Sequence, residues 1–347
     1  MNDRLQSLLG IELPVIQAPM VGVQTSTMAI AVSEACGLGS LPCAALTIDA
    51  MRSELAAIRA RTTRPFNVNF FCHAPPAPDA AREAAWRATL APYYAEFGID
   101  PGSITSGPGR APFDAAYADA LAEFHPPVVS FHFGLPSAAL LDRVRAWGAK
   151  VLASATTVAE ARWLEARGVD AVIAQGLEAG GHRGMFLSDD LDTQLGSFAL
   201  LPQIVAAVRV PVIAAGGIAD AAGVAAARAL GAAGVQAGTA YLLCSEATTS
   251  APHRAALKSP AAEHTALTNL FTGRPARGIV NRVMRELSAI NSAAPDFPLA
   301  TAAIAPLRAA AERAGSGDFS PLWSGQNARG CREVPAAEIT RSLAAGW

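Results

Sequence analysis

The stretch Asp170-Ala171-Val172-Ile173-Ala174-Gln175-Gly176-Leu177-Glu178-Ala179-Gly180-Gly181-His182-Arg183-Gly184 decides the fold. Its first part is an unbroken apolar run too short for a helix, the pattern of a strand buried on both faces. The second part is a loop with four glycines, whose backbone can take positive φ and approach a ligand closely. His182, set among those glycines, is a side chain that titrates near neutral pH and is aimed at something.

Outward from this stretch the same unit recurs. Short apolar runs at 15–18, 38–41, 67–71, 128–133, 151–155, 171–174, 212–215 and 235–237 predict strands. Between most of them lie alanine-rich segments, such as 158–167 and 222–230, whose apolar spacing suits a helix laid on a sheet. Eight such strands, each followed by a helix, imply a parallel sheet covered on both faces, and eight closes a (β/α)8 TIM barrel. No G-x-G-x-x-G follows the first run, which disfavours an open dinucleotide-binding sheet.

At 347 residues the chain holds a barrel with about 100 residues to spare. Two regions break the repeat. The connection 74–127 is far too long for a βα loop and predicts one or two extra helices. From about residue 250 to 347 no strand is evident, so this part reads as helices packing over the active site of a barrel formed by 1–249.

Composition narrows the class. The chain is 51% hydrophobic and 16% charged with net charge −2, which offers no surface for nucleic acid or anionic membrane. Five cysteines in no C-x-x-C spacing fit buried apolar residues in a reducing compartment. The first residues lack a signal-peptide core, and no run of ~20 apolar residues could span a bilayer. The expectation is a cytoplasmic protein without membrane or nucleic-acid partners, and an oligomer is compatible with the sequence.

Function in such a barrel sits at the C-terminal strand ends. Those ends carry Gln17-Ala18-Pro19-Met20, Asn67 and Asn69, His132, Gln175, Gly216-Gly217 and Gly238-Thr239: amides, glycines and a hydroxyl, with almost no charge. That is a surface for a neutral heteroaromatic ring, not for a metal. Ala215-Gly216-Gly217-Ile218 and Gln236-Ala237-Gly238-Thr239, each ahead of a helix, read as a phosphate cup of backbone N–H groups, where tight packing would need glycine only once. His182 is the candidate proton carrier; a structural loop histidine is the alternative. His132, alternating with two phenylalanines, is a candidate for the pocket wall. Paired carboxylates, a nucleophile elbow and H-E-x-x-H are absent, so a bound cofactor is expected to carry the reaction.

Gln17-Ala18-Pro19-Met20, Asn67-Val68-Asn69, 175–184, Ala215-Gly216-Gly217-Ile218, Gln236-Ala237-Gly238-Thr239, 271–278 and Leu322-Trp323-Ser324-Gly325-Gln326, in that order, resemble the nitronate monooxygenases, formerly 2-nitropropane dioxygenases. The resemblance implies an FMN-dependent barrel that oxidises alkyl nitronates, propionate 3-nitronate among them, with O2 to a carbonyl compound and nitrite through a flavin semiquinone. It implies flavin contacts at Ala18, Pro19, Met20, Asn69, Gln175, Gly180 and Gly181, and phosphate contacts at Gly216, Gly217, Gln236, Ala237, Gly238 and Thr239. The tail with Trp323 and Gln326 would fold back toward the cofactor, and His182 would be the active-site histidine. The same barrel also serves NAD(P)H-dependent quinone and enoyl reductases. A flavin-free lyase or isomerase, or a flavin carrier without turnover, would share the glycine turns. No tyrosine follows Tyr241 and Lys258 is the only lysine beyond Lys150, which leaves Arg183, Arg274 or Arg277 as candidates to hold a substrate carboxylate.

Overall fold

A computed structural model describes residues 3–77, 79–104 and 110–347. Its strands are β1 (Val15–Gln17), β2 (Gly39–Pro42), β3 (Phe66–Phe71), β4 (Val128–His132), β5 (Lys150–Ala155), β6 (Ala171–Gln175), β7 (Gly181–His182), β8 (Val212–Ala215), β9 (Gly234–Ala237), β10 (Thr265–Thr268) and β11 (Ala276–Ile279). Eight of them form one parallel sheet in the order β1-β9-β8-β6-β5-β4-β3-β2. A parallel bridge between Ile16 and Leu38 joins its two edges, so the sheet closes into the expected barrel.

The apolar runs behave as buried strands should. Every residue of β3, β6 and β8 is buried, because successive side chains face the barrel interior and the helical layer in turn. Ile16, Leu38, Val128, Leu152, Ile173 and Ile213 fill the interior, and Leu5 and Leu9 of the first helix, Arg4–Leu9, join them. Gly234 is needed there: a Cβ would meet Leu5 Cδ2 at 2.3 Å. With the N-terminal end plugged, the C-terminal end is left to form the site.

Among its described residues the long connection holds one extra α-helix, Ala80–Glu96, and a single 3-10 turn, Pro101–Ser103, whereas Ala115–Ala122 is the barrel's own helix between β3 and β4. Trp86, Leu90, Tyr93 and Tyr94 of the extra helix form a second core with Leu270, Phe271, Val283, Met284, Ile304, Leu307 and Phe319. Its buried polar edges are satisfied by helix Ala300–Arg313: Trp86 Nε1 donates to Ala300 O (3.3 Å) and Tyr94 OH to Ala303 O (2.6 Å).

Two expectations for residues 250–347 are corrected. The segment is not free of strands: β10 and β11 form an antiparallel sheet with β7, aligning His182 with Ala276 and Gly181 with Arg277. Ala276-Arg277-Gly278-Ile279 has no strand periodicity of its own and extends because it pairs with the glycine loop. Nor does the whole segment cover the site. The last helix, Ala336–Ala344, places Ala336, Ile339 and Leu343 in the barrel's main core, beside Val15 and Met28. Among the described residues no helix is long and apolar enough to cross a membrane.

Candidate active site

The cavity opens at the C-terminal strand ends, where Ala18, Asn69, Ser130, His132, Ser154, Gln175, Ala215 and Gln236 project into it. Its floor is fixed by a buried amide network. Gln17 Nε2 donates to Gln24 Oε1 (2.6 Å), and that same oxygen accepts from Met20 N (2.9 Å), holding the turn after β1. Asn69 Nδ2 donates to Ser130 Oγ (2.9 Å), a hydroxyl it shares with Asn67 Nδ2 (2.9 Å).

On one side, the turns after β8 and β9 present backbone. Gly216 and Gly217 have φ of 112° and 74°, the left-handed region that favours glycine. The N–H groups of Gly217, Gly238 and Thr239 find no protein acceptor among the described residues. Gln236 Oε1 is buried there without a partner. Unpaired donors and a stranded carbonyl facing one cavity mark a place for a polar ligand.

The opposite wall is built around His182. Gln175 clasps the loop at both ends: its Nε2 donates to His182 O (2.9 Å) and its Oε1 accepts from Gly184 N (2.7 Å). Glu178 accepts from Ser197 N (2.9 Å) and Ser197 Oγ (2.9 Å), so the loop's sole acid is a clamp. The tail crosses directly above Gly180, where a Cβ would lie 2.5 Å from Gly325 N. Gly325 N in turn donates to Thr239 Oγ1 (2.9 Å), tying the tail to the opposite turn.

His182 is half-buried, with Trp323 and Phe297 at ring centroid distances of 5.5 and 5.4 Å. Its Nε2 faces Thr272 Oγ1 (3.0 Å), and that hydroxyl reaches Arg274 O (3.4 Å). With the hydroxyl proton spent on the carbonyl, Thr272 accepts from Nε2–H and the lone pair stays on Nδ1. Burial, followed by the charges of Arg110, His132, Arg274 and His73, holds this imidazole well below its ordinary 6.5. It is neutral at physiological pH, a form that can accept a proton. His132 also lines the cavity, but its nitrogens are engaged by Ser154 Oγ (3.0 Å) and His182 O (3.2 Å), and burial pushes it down to about 4.

The sequence profile described as nitronate monooxygenase matches residues 2–346. The chain belongs to that family. It is 45% identical to a nitronate monooxygenase of Pseudomonas aeruginosa over 99% of this chain and 98% of the relative. A second nitronate monooxygenase, from Paraburkholderia phytofirmans, is 44% identical over 98% and 93%. Among solved structures, a nitroalkane oxidase from Streptomyces ansochromogenes superposes with a TM-score of 0.88 at 41% identity, covering 99% of this chain and 97% of that one. FabK from Thermotoga maritima is more distant, with a TM-score of 0.72 at 28% identity over 98% and 94%.

Within this nitronate monooxygenase barrel, most of the residues read from sequence meet at one cavity: Ala18, Pro19, Met20, Asn69, His132, Gln175, Gly180, Gly181, His182, Gly216, Gly217, Gln236, Ala237, Gly238, Thr239 and Trp323. Two do not. Arg183 is fully buried behind the loop, donating to Gly176 O (2.6 Å), Gln175 O (2.8 Å) and Gln194 Oε1 (3.1 Å). Just past β7 the backbone stays extended, Arg183 N donating to Pro275 O (2.9 Å), so His182 toward the cavity puts Arg183 away from it. Gln326 is absent from the lining; its backbone N donates to Glu178 O (3.0 Å), and Gly325 and Asn327 line the cavity instead.

Arg274 and Arg277 are likewise spent on structure, the first donating to Met185 O over the Phe133 ring, the second to Leu177 O (2.9 Å). The sequence reading missed Arg110, Phe71 and His253 in the lining, together with Thr272 and Phe297 around His182. Only Thr272 carried a signal, lying in the segment 271–278 that bears the family resemblance.

Proposed function

We propose that this protein binds FMN and oxidises short alkyl nitronates with O2, releasing a carbonyl compound and nitrite. The family is flavin-dependent, and the residues present fit that group. The free N–H groups of Gly217, Gly238 and Thr239 would hold the phosphate, with the unpaired Gln236 Oε1 free to accept a hydrogen bond from the bound group. The backbone of Ala18–Met20 and the Cβ-less Gly180 and Gly181 leave room for a flat ring against the strand ends. Bound FMN supplies the electron acceptor for the nitronate and the electron donor for oxygen.

The observation that carries the reading is the neutral His182 on the wall opposite the phosphate turns. A nitronate is already an anion and needs no strong base to give up an electron. A neutral imidazole with its lone pair on Nδ1 can hydrogen-bond a protonated acid, or take the α-proton when a neutral nitroalkane arrives. Phe71, Phe297 and Trp323 limit water around it, and Thr272 keeps the ring in one tautomer.

The test is the spectrum of the purified protein followed by nitrite assay. A yellow protein that releases nitrite from ethyl nitronate or propionate 3-nitronate in air, without NAD(P)H, supports the reading. Rapid bleaching by NADH with no nitrite from either nitronate would assign the protein to the reductases of this barrel instead.

A further inference from the structure

The tail segment 324–331 reaches across to both turns that fit a phosphate. Gly325 N donates to Thr239 Oγ1 (2.9 Å), and Asn327 Nδ2 donates to Gly217 O (3.1 Å). Asn327 is half-buried and lines the cavity. Its Oδ1 accepts from Arg329 N (3.3 Å), so both ends of the amide are assigned and its donor is held toward the turn.

These ties act on the donors of the turns. A trans peptide is planar, so holding the Gly217 carbonyl fixes the plane that carries the Ile218 N–H on its opposite side. Ile218 lines the cavity, and its N–H, like that of Gly217, has no protein acceptor among the described residues. Gly216 and Gly217 sit at φ of 112° and 74°, and glycine opposes rotation of its peptides less than any other residue. Rotated by half a turn, the same peptide would offer an anion its carbonyl oxygen in place of the N–H. At Thr239 one lone pair of the hydroxyl is taken by Gly325 N, and its proton finds no protein acceptor among the described residues.

Aim matters because no cation assists at this end. Arg110 is the only lysine or arginine among the described lining residues, and it packs on Phe297 (5.8 Å), which packs on His182 (5.4 Å) at the opposite wall. Glu178, beside Gly217, directs its carboxylate to Ser197 N and Oγ. A phosphate at the turns would therefore rest on neutral N–H and O–H groups, whose strength falls steeply with misalignment.

We propose that Asn327 is a positioning residue for the phosphate of the flavin nucleotide. By holding the Gly217–Ile218 peptide it keeps the Ile218 N–H toward the anion and the Gly217 oxygen away from it. The proposal rests on the FMN reading and deepens it: this tie makes the protein prefer the phosphorylated cofactor over the same ring system without phosphate.

The experiment strips flavin from the full-length protein and measures Kd for FMN and for riboflavin by quenching of flavin fluorescence. Wild type, Asn327→Leu and Asn327→Gln are compared, with melting temperatures recorded without flavin. Riboflavin keeps the ring and ribityl chain but lacks the phosphate, so the ratio of the two Kd values isolates the phosphate contacts. Leucine keeps the volume and removes the amide; Asn327→Leu should lower the preference for FMN by about tenfold while riboflavin binds within about twofold of wild type. Asn327→Gln retains a donor and should recover part of the preference. A preference unchanged within about twofold in a folded Asn327→Leu overturns the proposal. Equal weakening of both flavins also overturns it, since a tail that merely packs would do the same. Wild-type protein that binds neither flavin, or both equally, overturns the FMN reading itself and the proposal with it. Should Asn327→Leu fail to fold, the same ratio in Asn327→Ala decides, since alanine also removes the amide.

Discussion

Replacing Arg183 by methionine separates a structural arginine from a substrate-binding one. The side chain is fully buried, and burial pushes its proton affinity down to about 10, which leaves it charged at neutral pH. It donates to Gly176 O, Gln175 O and Gln194 Oε1 at 2.6, 2.8 and 3.1 Å. Each hydrogen bond to a charged group is worth about 1.5–3 kcal/mol, while removing the cation recovers its desolvation cost. Methionine fills the stem but strips Gln175 O and Gln194 Oε1 of the guanidinium donor and leaves Gly176 O with Ala179 N alone (3.1 Å), so the net loss is about 3–5 kcal/mol. At about 2 °C per kcal/mol for a chain this long, the melting temperature should fall by roughly 6–10 °C. Thermal unfolding followed by circular dichroism reads this directly, and nitrite kinetics are run on the same preparation below the transition. Methionine that melts within about 2 °C of wild type while raising KM selectively for a carboxylated nitronate would return Arg183 to the cavity and refute the argument.

Two further outcomes are expected. His73, His132 and His253 are each depressed by burial from the ordinary 6.5 to about 4, so below pH 6.5 the unfolded chain binds more protons than the folded one. Their neutral forms favour folding fully above pH 6.5, and this is lost as pH falls toward 4, about 2 kcal/mol for each histidine at pH 5. His182, also held well below 6.5, adds to the same slope. The urea midpoint should drop steeply between pH 7 and 5, and His253→Phe should remove about a quarter of that slope, so an equal midpoint at both pH values would contradict it. Gly180→Ala would bring a Cβ to 2.5 Å from Gly325 N and 2.6 Å from the carbonyl carbon of Ser324. It should displace the tail around Trp323, seen as weaker flavin retention on dialysis and faster proteolysis near 323–327; unchanged retention and cleavage would show that the crossing yields without cost.

The barrel was legible because its eight strands are short, mostly apolar runs, with the polar residues gathered where they face the cavity, the pattern of a parallel sheet buried on both faces. The phosphate turns were legible because tandem glycines at consecutive strand ends have few other uses. The strand Gly181–His182 was not, since two residues carry no periodicity and its partner Ala276–Ile279 contains an arginine and a glycine. From that omission came the misreading of Arg183: beside His182 in a loop the two could share a target, but in the extended pairing that continues past β7 they cannot. Arg110 gave no local signal either. It follows a Pro- and Gly-rich connection, and only the tertiary fold brings it across to His182.

The charge distribution of the cavity links binding to proton affinity. His182 is held neutral by burial first and by the cation Arg110 second. No carboxylate among the described residues lining the cavity offsets that positive charge at the imidazole. An anionic nitronate beside the ring favours the protonated imidazole by its own sign, so the histidine would gain basicity as the substrate arrives. Before binding, a neutral ring adds no second cation to a buried site that already holds one, which limits the electrostatic cost of the empty cavity. The Thr272 hydrogen bond fits the same logic: it keeps Nε2 protonated in both states, so the change in proton affinity is felt at Nδ1, the nitrogen without a protein partner among the described residues.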